Sequence, residues 1–462
     1  MKPVSLKKVA EVIGASLASG DPDAFADALA GGASIDSRTL REGDLFFAMK
    51  GQTDGAEFAR DARERGGAAT VADRPLDAVP TLVVEDVLDA MQKLARWNLV
   101  REDAGPPPTV VGITGTVGKT TTKDALAAIL RHAGRKVSAT AGNFNNEIGL
   151  PLTVLTADPK TEILVLEMGA THAGDISALC GIASPRVGVL TAISPVHLDS
   201  FETLEALAEA KGELAVCLPD DGSLVFPVDA PATATGSDRS LSRRISFGSE
   251  GANLWPSEVE ETDEGIRFTA NMDGESVEVR TPVFGTHLVQ PILAAMGGGV
   301  SLGLTLEECA NGVARLKRTG LRGELYRLKD GIVVYDDSYN ASPAAVSAVL
   351  RYGAGQARQQ KKRLVAVLGG MFELGPNARA YHREAGAHAA ESGVDLLVCV
   401  GEEARWYAEA FPGETLFFED AHSAAESLHE SLAPGDFVVV KGSRGVGLDA
   451  LTRELRERLA LV

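Results

Sequence analysis

Residues 112–122, Gly-Ile-Thr-Gly-Thr-Val-Gly-Lys-Thr-Thr-Thr, have the composition and spacing of a loop that binds phosphate groups. Glycines allow backbone N–H groups to surround an anion, and the start of a following helix adds a favourable dipole. Lys119 offers a positive charge to the outer phosphates, and Thr120 offers a hydroxyl group to Mg²⁺. The common pattern has glycine where this chain has Ile113, so the alternative is a helix that merely begins with Gly-Lys-Thr.

The flanking residues favour the phosphate loop because they predict the strand and the helix that such a loop requires. Residues 109–113 form a short apolar run, which is typical of a buried parallel strand. Apolar residues at positions 126, 129, 130 and 133 fall on one helical face, and Gly134 follows as a residue that ends helices.

Two further predicted strands, at residues 163–166 and 187–193, are followed by side chains that could bind a cation. Ligands bind beyond the carboxyl ends of parallel strands, so we expect Glu167 and His197 to face the phosphates. The carboxylate of Glu167 offers the oxygen ligands that Mg²⁺ prefers. His197 is a second candidate ligand, although a single histidine at such a place is more often a structural hydrogen-bonding group.

Polar residues near other strand ends have both a functional and an ordinary explanation. Asp336 and Asp337 follow a predicted strand, where a ligand crevice is expected, but adjacent carboxylates also form turns and helix caps. The basic turn at residues 441–444, Lys-Gly-Ser-Arg, would suit an anion. The amides of residues 143–146 could bind substrate or simply form a turn. Lys211, in a predicted helix at 204–218, would by itself be a solvated charge.

The length of 462 residues and the order of elements predict an α/β protein of three domains. Gly-Pro-Pro-Pro at residues 105–108 forms a stiff break. We place the domains at residues 1–105, 106–315 and 316–462. The second is expected to be a P-loop domain on a parallel sheet, and the third a doubly wound, Rossmann-like domain. Residues 222–283 predict antiparallel strands attached to the central sheet, and 291–316 a helical stretch. In the third domain we expect strands at 332–335, 364–368, 396–400 and 437–440, and a helix at 380–392.

Composition narrows the classes of function. A net charge of −19 argues against non-specific nucleic-acid binding, which requires a basic surface. No apolar run approaches the roughly 20 residues of a membrane span, and the first residues lack the apolar core of a signal peptide. The four cysteines have no metal-binding spacing, so we expect buried thiols and a reducing cytoplasm.

Together these motifs resemble those of the Mur ligase family, and the resemblance covers essentially the whole chain. It is carried in the first domain by residues 34–38 and 43–51, in the second by 115–120, 143–151, 167–170 and 197–198, and in the third by 336–343 and 441–444. The runs Asn-Asn-Glu-Ile-Gly and Asp-Asp-Ser-Tyr-Asn-Ala-x-Pro are most similar to the branch that adds D-alanyl-D-alanine. The Asp-Asn-Pro-Arg run expected of the branch that adds the third amino acid is absent.

The resemblance implies ATP-dependent amide synthesis in the assembly of peptidoglycan. The carboxylate of UDP-MurNAc-tripeptide would attack the γ-phosphate of ATP to give an acyl phosphate. The amine of D-Ala-D-Ala would then displace phosphate and give UDP-MurNAc-pentapeptide. The enzyme would be a cytoplasmic ligase, and a monomer is the default expectation. The sequence leaves open whether the tripeptide ends in diaminopimelate or lysine.

The resemblance also implies roles for individual residues, carried over by their positions in this sequence. ATP would be bound by Gly115, Thr116, Val117, Gly118, Lys119, Thr120, Thr121, Arg322 and Asp337. Substrates would be bound by Ser37, Arg38, Lys50, Gly51, Asn145, Asn146, Asn340, Lys441, Ser443 and Arg444. Mg²⁺, with two ions expected, would be held by Thr120, Glu167, His197 and Lys211, the last as N6-carboxylysine. Lys119, Lys211, His197 and Glu167 would form the catalytic group.

Some positions depart from the family pattern. Leu288 and Pro291 stand where asparagines are usual, which puts recognition of adenine in doubt. Gly370 replaces an aspartate, and Ala56 a histidine. Two other functions stay open: a related amide ligase such as a folylpolyglutamate synthase, and an ATP-hydrolysing switch that joins nothing. The Asp-Ser-Arg motif at residues 36–38 argues against the folate enzyme, which needs no UDP-binding domain.

Overall fold

The computed structural model describes residues 1–18, 28–77, 79–194, 201, 203–236, 241, 243–262, 264–317 and 321–460. These residues form three α/β domains, each with its own principal sheet, as the sequence predicted. None of the helices in these ranges combines the length and the apolar character needed to cross a membrane. Cys180, Cys309 and Cys399 are buried thiols, as expected, and Cys217 is half-buried.

The N-terminal domain is built on a five-stranded sheet with the order β2-β7-β6-β5-β4, beside a two-stranded β1-β3 ribbon. Its strands are β1 (Val4–Ser5), β2 (Ser16–Ala18), β3 (Leu29–Ala30), β4 (Gly32–Ser34), β5 (Asp44–Phe47), β6 (Ala69–Ala72) and β7 (Thr81–Val83). Its helices are α1 (Leu6–Ile13), α2 (Ala59–Glu64) and α3 (Val87–Val100). Strands β4, β5, β6 and β7 pair in parallel, so the residues that follow β4, β5 and β6 meet at one edge.

The central domain contains a nine-stranded sheet with the order β16-β15-β14-β13-β12-β11-β8-β10-β9. Its strands are β8 (Thr109–Thr114), β9 (Val137–Ala139), β10 (Ile163–Glu167), β11 (Val187–Leu190), β12 (Ser223–Pro227), β13 (Arg243–Phe247), β14 (Leu254–Thr262), β15 (Gly265–Met272) and β16 (Glu275–Thr281). Its helices are α4 (Lys119–His132), α5 (Gly149–Thr156), α6 (Asp175–Ile182), α7 (Leu204–Cys217), α8 (Ala232–Thr235), α9 (Val289–Ser301) and α10 (Leu306–Val313).

The prediction of antiparallel strands over residues 222–283 is wrong for its first half. Strands β12 and β13 continue the parallel sheet beyond β11. Strand β12 is buried along most of its length, which suits a strand covered on both faces rather than a surface hairpin. The prediction holds for β14, β15 and β16, which pair in antiparallel fashion.

Two other predicted elements end earlier than expected. The helical stretch at 291–316 is two helices, α9 and α10, because Gly303 has a left-handed backbone (φ 90°) and Thr305 starts a new helix as its N-cap. Strand β11 ends at Leu190 rather than at residue 193, and the carbonyl of Ala192 instead accepts a hydrogen bond from the Thr116 backbone N–H. The predicted strands at 109–113 and 163–166 are confirmed, each one residue longer.

The C-terminal domain contains a six-stranded sheet with the order β17-β18-β22-β19-β20-β21, in which only the edge strand β17 is antiparallel. Its strands are β17 (Glu324–Arg327), β18 (Val333–Asp336), β19 (Leu364–Gly369), β20 (Leu396–Val400), β21 (Glu414–Phe418) and β22 (Phe437–Lys441). Its helices are α11 (Pro343–Gln360), α12 (Ala378–Glu391), α13 (Arg405–Ala408), α14 (Ala421–Ser431) and α15 (Leu448–Arg458). Apolar clusters cover both faces of this sheet, which confirms the doubly wound prediction.

Side-chain contacts join the central and C-terminal domains away from the phosphate loop. Glu261, at the end of β14, accepts a hydrogen bond from Gln356 of α11 at 2.7 Å. The Tyr335 hydroxyl donates to the backbone carbonyl of Phe284 at 3.0 Å. A cavity of about 400 Å³ lies beside the first contact and is lined in part by Thr286 and His287.

Gly212 provides a test of the close packing that holds α7 in place. A Cβ atom at this position would lie 2.3 Å from the carbonyl oxygen of Thr233 in α8. We expect Gly212→Ala to lower the free energy of unfolding by ~1–3 kcal/mol, as overpacked cores do. Gly181→Ala in α6 is the matched control, because nothing lies within 4 Å of its Cβ position. Its gain in helix propensity should stabilise the protein by ~0.5–1 kcal/mol in urea unfolding. Equal changes in the free energy of unfolding for the two variants would contradict close packing at Gly212.

Candidate active site

The phosphate loop (residues 115–121) is a tight turn between β8 and α4. Gly115 and Gly118 have positive φ angles of 141° and 91°, which non-glycine residues rarely adopt. A Cβ atom on Gly115 would lie 2.0 Å from the Thr191 hydroxyl, so a side chain is excluded there. Thr116 fixes the loop, because its hydroxyl lies 2.8 Å from the Ala192 carbonyl oxygen. Helix α4 therefore begins at Lys119 with its N–H groups directed at the loop.

The Lys119 side chain folds back over the loop. Its Nζ donates to the carbonyl oxygens of Gly115, at 2.8 Å, and Thr116, at 3.3 Å. Burial lowers the pKa of Lys119, the charge of Glu167 raises it, and the charge of Arg322 lowers it. A half-buried ammonium group in this environment favours an anionic ligand, which would keep it protonated.

Thr120 and Glu167 form the pair of oxygen donors that the sequence predicted. The Thr120 hydroxyl donates to Glu167 Oε2 at 2.9 Å, and the Asn145 side-chain amide donates to Glu167 Oε1 at 2.9 Å. Glu167 is almost fully buried, at 3% exposure. Within the described ranges, no three histidine, cysteine, aspartate or glutamate side chains come together as metal ligands. The oxygen pair alone is still the donor type that suits Mg²⁺ with several waters.

Lys211 is a buried residue rather than the solvated lysine that its helical position alone would suggest. Its side chain is 1% exposed, and Nζ donates to the Ala170 carbonyl oxygen at 2.9 Å. Burial, with a contribution from the nearby Lys119 charge, lowers the pKa of Lys211 to about 7. A substantial fraction of this amine is therefore neutral at physiological pH. The other predicted metal ligand, His197, lies outside the described residues.

Arg322 brings the C-terminal side of the chain to the phosphate loop. Its guanidinium donates to the Thr120 hydroxyl at 3.3 Å and stacks over the ring of Tyr339, with 3.9 Å between the guanidinium carbon and the ring centroid. The Tyr339 backbone N–H donates to the carbonyl of Leu321, which holds the two segments together. Arg444 lies on the same ring at 5.9 Å.

The two adjacent aspartates differ in their surroundings. Asp336 is fully buried and accepts a hydrogen bond from the Ser338 backbone, and burial raises its pKa. Asp337 instead pairs with Lys441 at 2.6 Å, and Lys441 also donates to the Asn340 carbonyl at 2.7 Å. Asp336 is therefore structural, and Asp337, Asn340 and Lys441 form one polar group after β18 and β22.

Two predicted substrate residues serve the backbone in this structure. The Asn146 side chain accepts hydrogen bonds from the backbone N–H groups of Ile148 and Gly149 at the start of α5, which is the turn chemistry that the sequence left open. The Ser443 hydroxyl accepts from the Phe372 backbone N–H at 2.9 Å. In the phosphate loop, Val117 forms an isolated antiparallel β-bridge with Ala192.

The predicted residues of the N-terminal domain form a separate group at the carboxyl edge of its sheet. Ser37 is buried, whereas Arg38 is exposed and paired with Asp36 at 2.8 Å. Lys50, which precedes Gly51, pairs with Asp73. Sequence reasoning missed Arg74, whose guanidinium pairs with Asp73 at 3.0 Å and with Asp54 at 2.6 Å. Its position directly after β6, like that of Lys50 after β5, was the available signal.

The positions that depart from the family pattern give the loop an apolar neighbour. Leu288 is buried. Pro291 lies close to Gly118, since a Cβ atom on that glycine would approach the proline ring within 3.0 Å. The Pro291 carbonyl accepts a hydrogen bond from the Thr122 hydroxyl at 3.2 Å. No side-chain amide is therefore present at either position beside the loop.

Comparisons with known proteins agree with this fold. Three protein-domain families match: the Mur ligase middle domain at residues 113–298, the Mur ligase glutamate ligase domain at 321–444, and the catalytic domain of the Mur ligase family at 31–97. The chain is 33% identical to a UDP-N-acetylmuramoyl-tripeptide–D-alanyl-D-alanine ligase of Bacillus subtilis, over 98% of both proteins. It is 34% identical to the enzyme of that name from Mycobacterium tuberculosis, also over 98% of both.

Solved structures give the same result. A crystal structure of MurF from Acinetobacter baumannii matches with a TM-score of 0.86 and 27% identity, covering 99% of both chains. MurF ligase from Thermotoga maritima, solved in complex with ADP, matches with a TM-score of 0.80 and 31% identity, covering 92% of this chain and 98% of that one. This chain belongs to the Mur ligase family.

The lowered pKa of Lys211 predicts that the free energy of unfolding depends on pH. Its pKa is 10.5 in the absence of structure and about 7 in the folded protein, so between these values the unfolded chain binds a proton that the folded chain lacks. The free energy of unfolding then rises with pH, by at most ~1.4 kcal/mol per unit for this group. Below pH 7 both states are protonated, and the cost of burying the charge is present in full.

We therefore expect Lys211→Met to be more stable than the unsubstituted protein at pH 7 and to lose that advantage progressively toward pH 10. Urea unfolding in buffers purged of CO₂ would measure this difference without modification of the lysine. If the difference in free energy of unfolding between the two proteins did not change with pH, the pKa of Lys211 would not be lowered by folding.

Proposed function

We propose that this chain is an ATP-dependent ligase that joins D-Ala-D-Ala to UDP-MurNAc-tripeptide, giving UDP-MurNAc-pentapeptide for peptidoglycan synthesis. The names of relatives that match over nearly their full length support the choice of reaction. The structural observation that carries the proposal is the hydrogen bond from Arg322 to Thr120. It joins the C-terminal side of the chain to the phosphate loop, as a ligase that brings three substrates together requires.

The residues of the phosphate loop fit a bound nucleotide with Mg²⁺. We propose that Gly115, Gly118 and the backbone N–H groups at the start of α4 hold the phosphates, while Lys119 and Arg322 balance their charge. Thr120 and Glu167 would hold Mg²⁺, which neutralises phosphate charge when bound. Asp337 would contact the nucleotide from the C-terminal side. Thr116, Val117 and Thr121 would complete the loop.

The first step of the reaction requires cations that offset negative charge, and the second requires that water be excluded. In the first, the substrate carboxylate attacks the γ-phosphate, so the cations Lys119 and Arg322 must bring two anions together. In the second, the dipeptide amine displaces phosphate, and water must be kept from the acyl phosphate. We propose that the contacts of Arg322 with Thr120 and Tyr339 close this side of the site.

A carbamate on Lys211 is the second part of the proposal for metal binding. The depressed pKa of Lys211 supplies the neutral amine that attacks CO₂, forming an N–C bond and releasing one proton to water. The product would be an anion with two oxygens, beside the Ala170 carbonyl that the amine contacts. We propose that it holds a second Mg²⁺ together with Glu167 and His197. The buried position of Lys211 supports this role, because a plain ammonium group would repel the metal.

The substrate ends would lie at opposite sides of this centre. We propose that the N-terminal group of Ser37, Arg38, Lys50, Gly51 and Arg74 binds the UDP moiety. Exposed ion pairs are weak, so their cations can exchange a carboxylate partner for a diphosphate. Asn145 would lie at the reacting end, and Asn340, Lys441, Ser443 and Arg444 on the side of the dipeptide.

The domain ranges 1–105, 106–315 and 316–462 are part of the same proposal. The three matched families begin and end within these ranges, and each principal sheet falls inside one of them. We propose that the protein acts as a monomer in the reducing cytoplasm, without nucleic acid, which suits four unbridged cysteines.

Phosphate release with different substrates tests the function. We expect release with ATP and UDP-MurNAc-tripeptide to depend on D-Ala-D-Ala and to yield the pentapeptide. Release without any amine would indicate a non-ligating ATPase, and release with a folate and glutamate would indicate a folylpolyglutamate synthase. Lys119→Ala should fold normally and ligate on the order of 10²–10³ times more slowly. Near-normal turnover of Lys119→Ala at saturating ATP would contradict the assignment of residues 115–121 as a phosphate loop.

Removal of Lys211 tests the carbamate. We expect Lys211→Ala to lose most of its activity, and acetate to restore part of it by placing a carboxylate in the vacated space. Chloride at the same ionic strength is the control. Full activity of Lys211→Ala, or equal rescue by chloride, would reject a carbamate at this position.

A further inference from the structure

Lys123 is a buried cation that the reaction described above does not use. It lies one helical turn after Lys119 in α4, and only 4% of its surface is exposed. Lysine is among the residues least often found fully buried, because it is costly to remove an ammonium group from water. An apolar side chain of similar length would avoid that cost, so a lysine is favoured here only for the contacts that its ammonium group makes.

The Lys123 ammonium group holds the segment that follows β9. Its Nζ donates a buried hydrogen bond to the carbonyl oxygen of Thr140 at 2.8 Å. The carboxylate of Asp124, the next residue in α4, lies 3.0 Å from the same nitrogen and offsets its charge. Hydrogen bonds from a charged donor are stronger than neutral ones, so the Thr140 carbonyl is held firmly against α4.

Thr140 connects this contact to the end of β10. Its side chain is 2% exposed, and its backbone N–H donates to the carbonyl oxygen of Val165 at 3.0 Å. The Thr140 hydroxyl accepts a hydrogen bond from the backbone N–H of Glu167 at 2.9 Å. Lys123, Thr140 and Glu167 therefore form a continuous series of contacts from α4 to the last residue of β10.

The segment that begins at Thr140 also holds the Glu167 carboxylate. Further along it, the Asn145 side-chain amide donates to Glu167 Oε1 at 2.9 Å. The Asn145 carbonyl oxygen accepts from the Gly169 backbone N–H at 2.7 Å. The other carboxylate oxygen, Oε2, accepts from the Thr120 hydroxyl in α4. A shift of Thr140 would therefore displace both the backbone and the carboxylate of Glu167 relative to Thr120.

We propose that Lys123 is a positioning residue, which acts through Thr140 to hold the Glu167 carboxylate in the direction that a Mg²⁺-bound nucleotide requires. This inference rests on the proposed function, in which Thr120 and Glu167 hold the metal. Lys123 acts without touching the nucleotide or the metal. Removing a group that orients a metal ligand typically weakens metal binding by about 10- to 100-fold.

Binding of Mn²⁺ to the complex with ADP measures this role without turnover. Mn²⁺ is used in place of Mg²⁺ because its EPR spectrum distinguishes the protein-bound ion from free Mn²⁺ and from Mn²⁺ bound to ADP alone. Lys123→Met keeps the length of the side chain and removes its donor, and we expect its ADP complex to bind Mn²⁺ about tenfold more weakly. Its affinity for ADP in EDTA should not change, because Lys119 and the glycines of the phosphate loop are intact.

Three further variants test the route through Thr140. Lys136→Met is the matched control, because Lys136 is an exposed lysine directly before β9 and its removal should change neither affinity. Thr140→Val keeps Lys123 but removes the hydroxyl that Glu167 contacts, so it should weaken Mn²⁺ binding as Lys123→Met does. Combining these two substitutions should cost little more than either alone, because both break the same series of contacts. Thr140→Ser keeps the hydroxyl and should bind Mn²⁺ normally.

Several results would overturn the assignment. Normal Mn²⁺ affinity in Lys123→Met would show that Glu167 needs no support from α4, and an equal loss of ADP affinity in EDTA would show a merely structural role. Additive losses in the double variant would reject the route through Thr140. If Lys123→Met does not fold, normal Mn²⁺ binding by Thr140→Val rejects the inference.

The proposed function can fail separately from this inference. If the unsubstituted protein binds Mn²⁺ with ADP but forms no pentapeptide, the ligase function is wrong, and the Mn²⁺ affinities of the variants alone decide the role of Lys123. If the unsubstituted protein binds no Mn²⁺ in the presence of ADP, the metal site at Thr120 and Glu167 is wrong, and the positioning role is rejected with it.

Discussion

The cost of holding the ammonium groups of Lys119 and Lys211 away from water is the constraint around which the active site is arranged. Loss of contact with water lowers the pKa of both lysines, and the charge of Lys119 lowers that of Lys211 further. Negative charge offsets part of this cost at Lys119: Glu167, which is hydrogen-bonded to Thr120 and Asn145, raises the pKa of Lys119, and the charge of Glu373 does so to a smaller extent. A nucleotide relieves this cost at Lys119 and a carbamate would relieve it at Lys211. Binding of the nucleotide and the proposed carbamate would therefore each lower the electrostatic cost of this arrangement.

The structure that holds these charges depends on small residues and on exact strand ends. The phosphate loop closes because Gly115 leaves room for the Thr191 hydroxyl, and α7 holds Lys211 because Gly212 lets it approach α8. Strand β11 must stop at Leu190 so that the Ala192 carbonyl can anchor Thr116. Each of these contacts lies next to a charged residue, so a change in packing would move a charge that is already costly to bury.

Much of this arrangement was predictable from the sequence, and the failures have physical causes. The strands before the phosphate loop and Glu167 were found because buried parallel strands are continuous apolar runs. The break between α9 and α10 was missed because one glycine and an N-cap threonine interrupt an otherwise apolar stretch. The burial of Lys211 could not be read from its helical spacing, because the covering residues come from distant segments such as Ala170. Arg74 follows a strand, as the recognised residues do, but its residue type does not distinguish it from an ordinary surface charge.

The contact between Glu261 and Gln356 has a consequence for how the protein can move. Glu261 lies at the end of the antiparallel extension of the central sheet, and Gln356 lies near the end of α11, beside the cavity of about 400 Å³. Together with the hydrogen bond from Tyr335 to Phe284, this contact resists translation of one domain past the other, but two neighbouring hydrogen bonds permit rotation about them. We therefore expect the C-terminal domain to swing about this point as a pivot. Rotation about this point would separate Arg322 from Thr120 and so open the cleft at the phosphate loop.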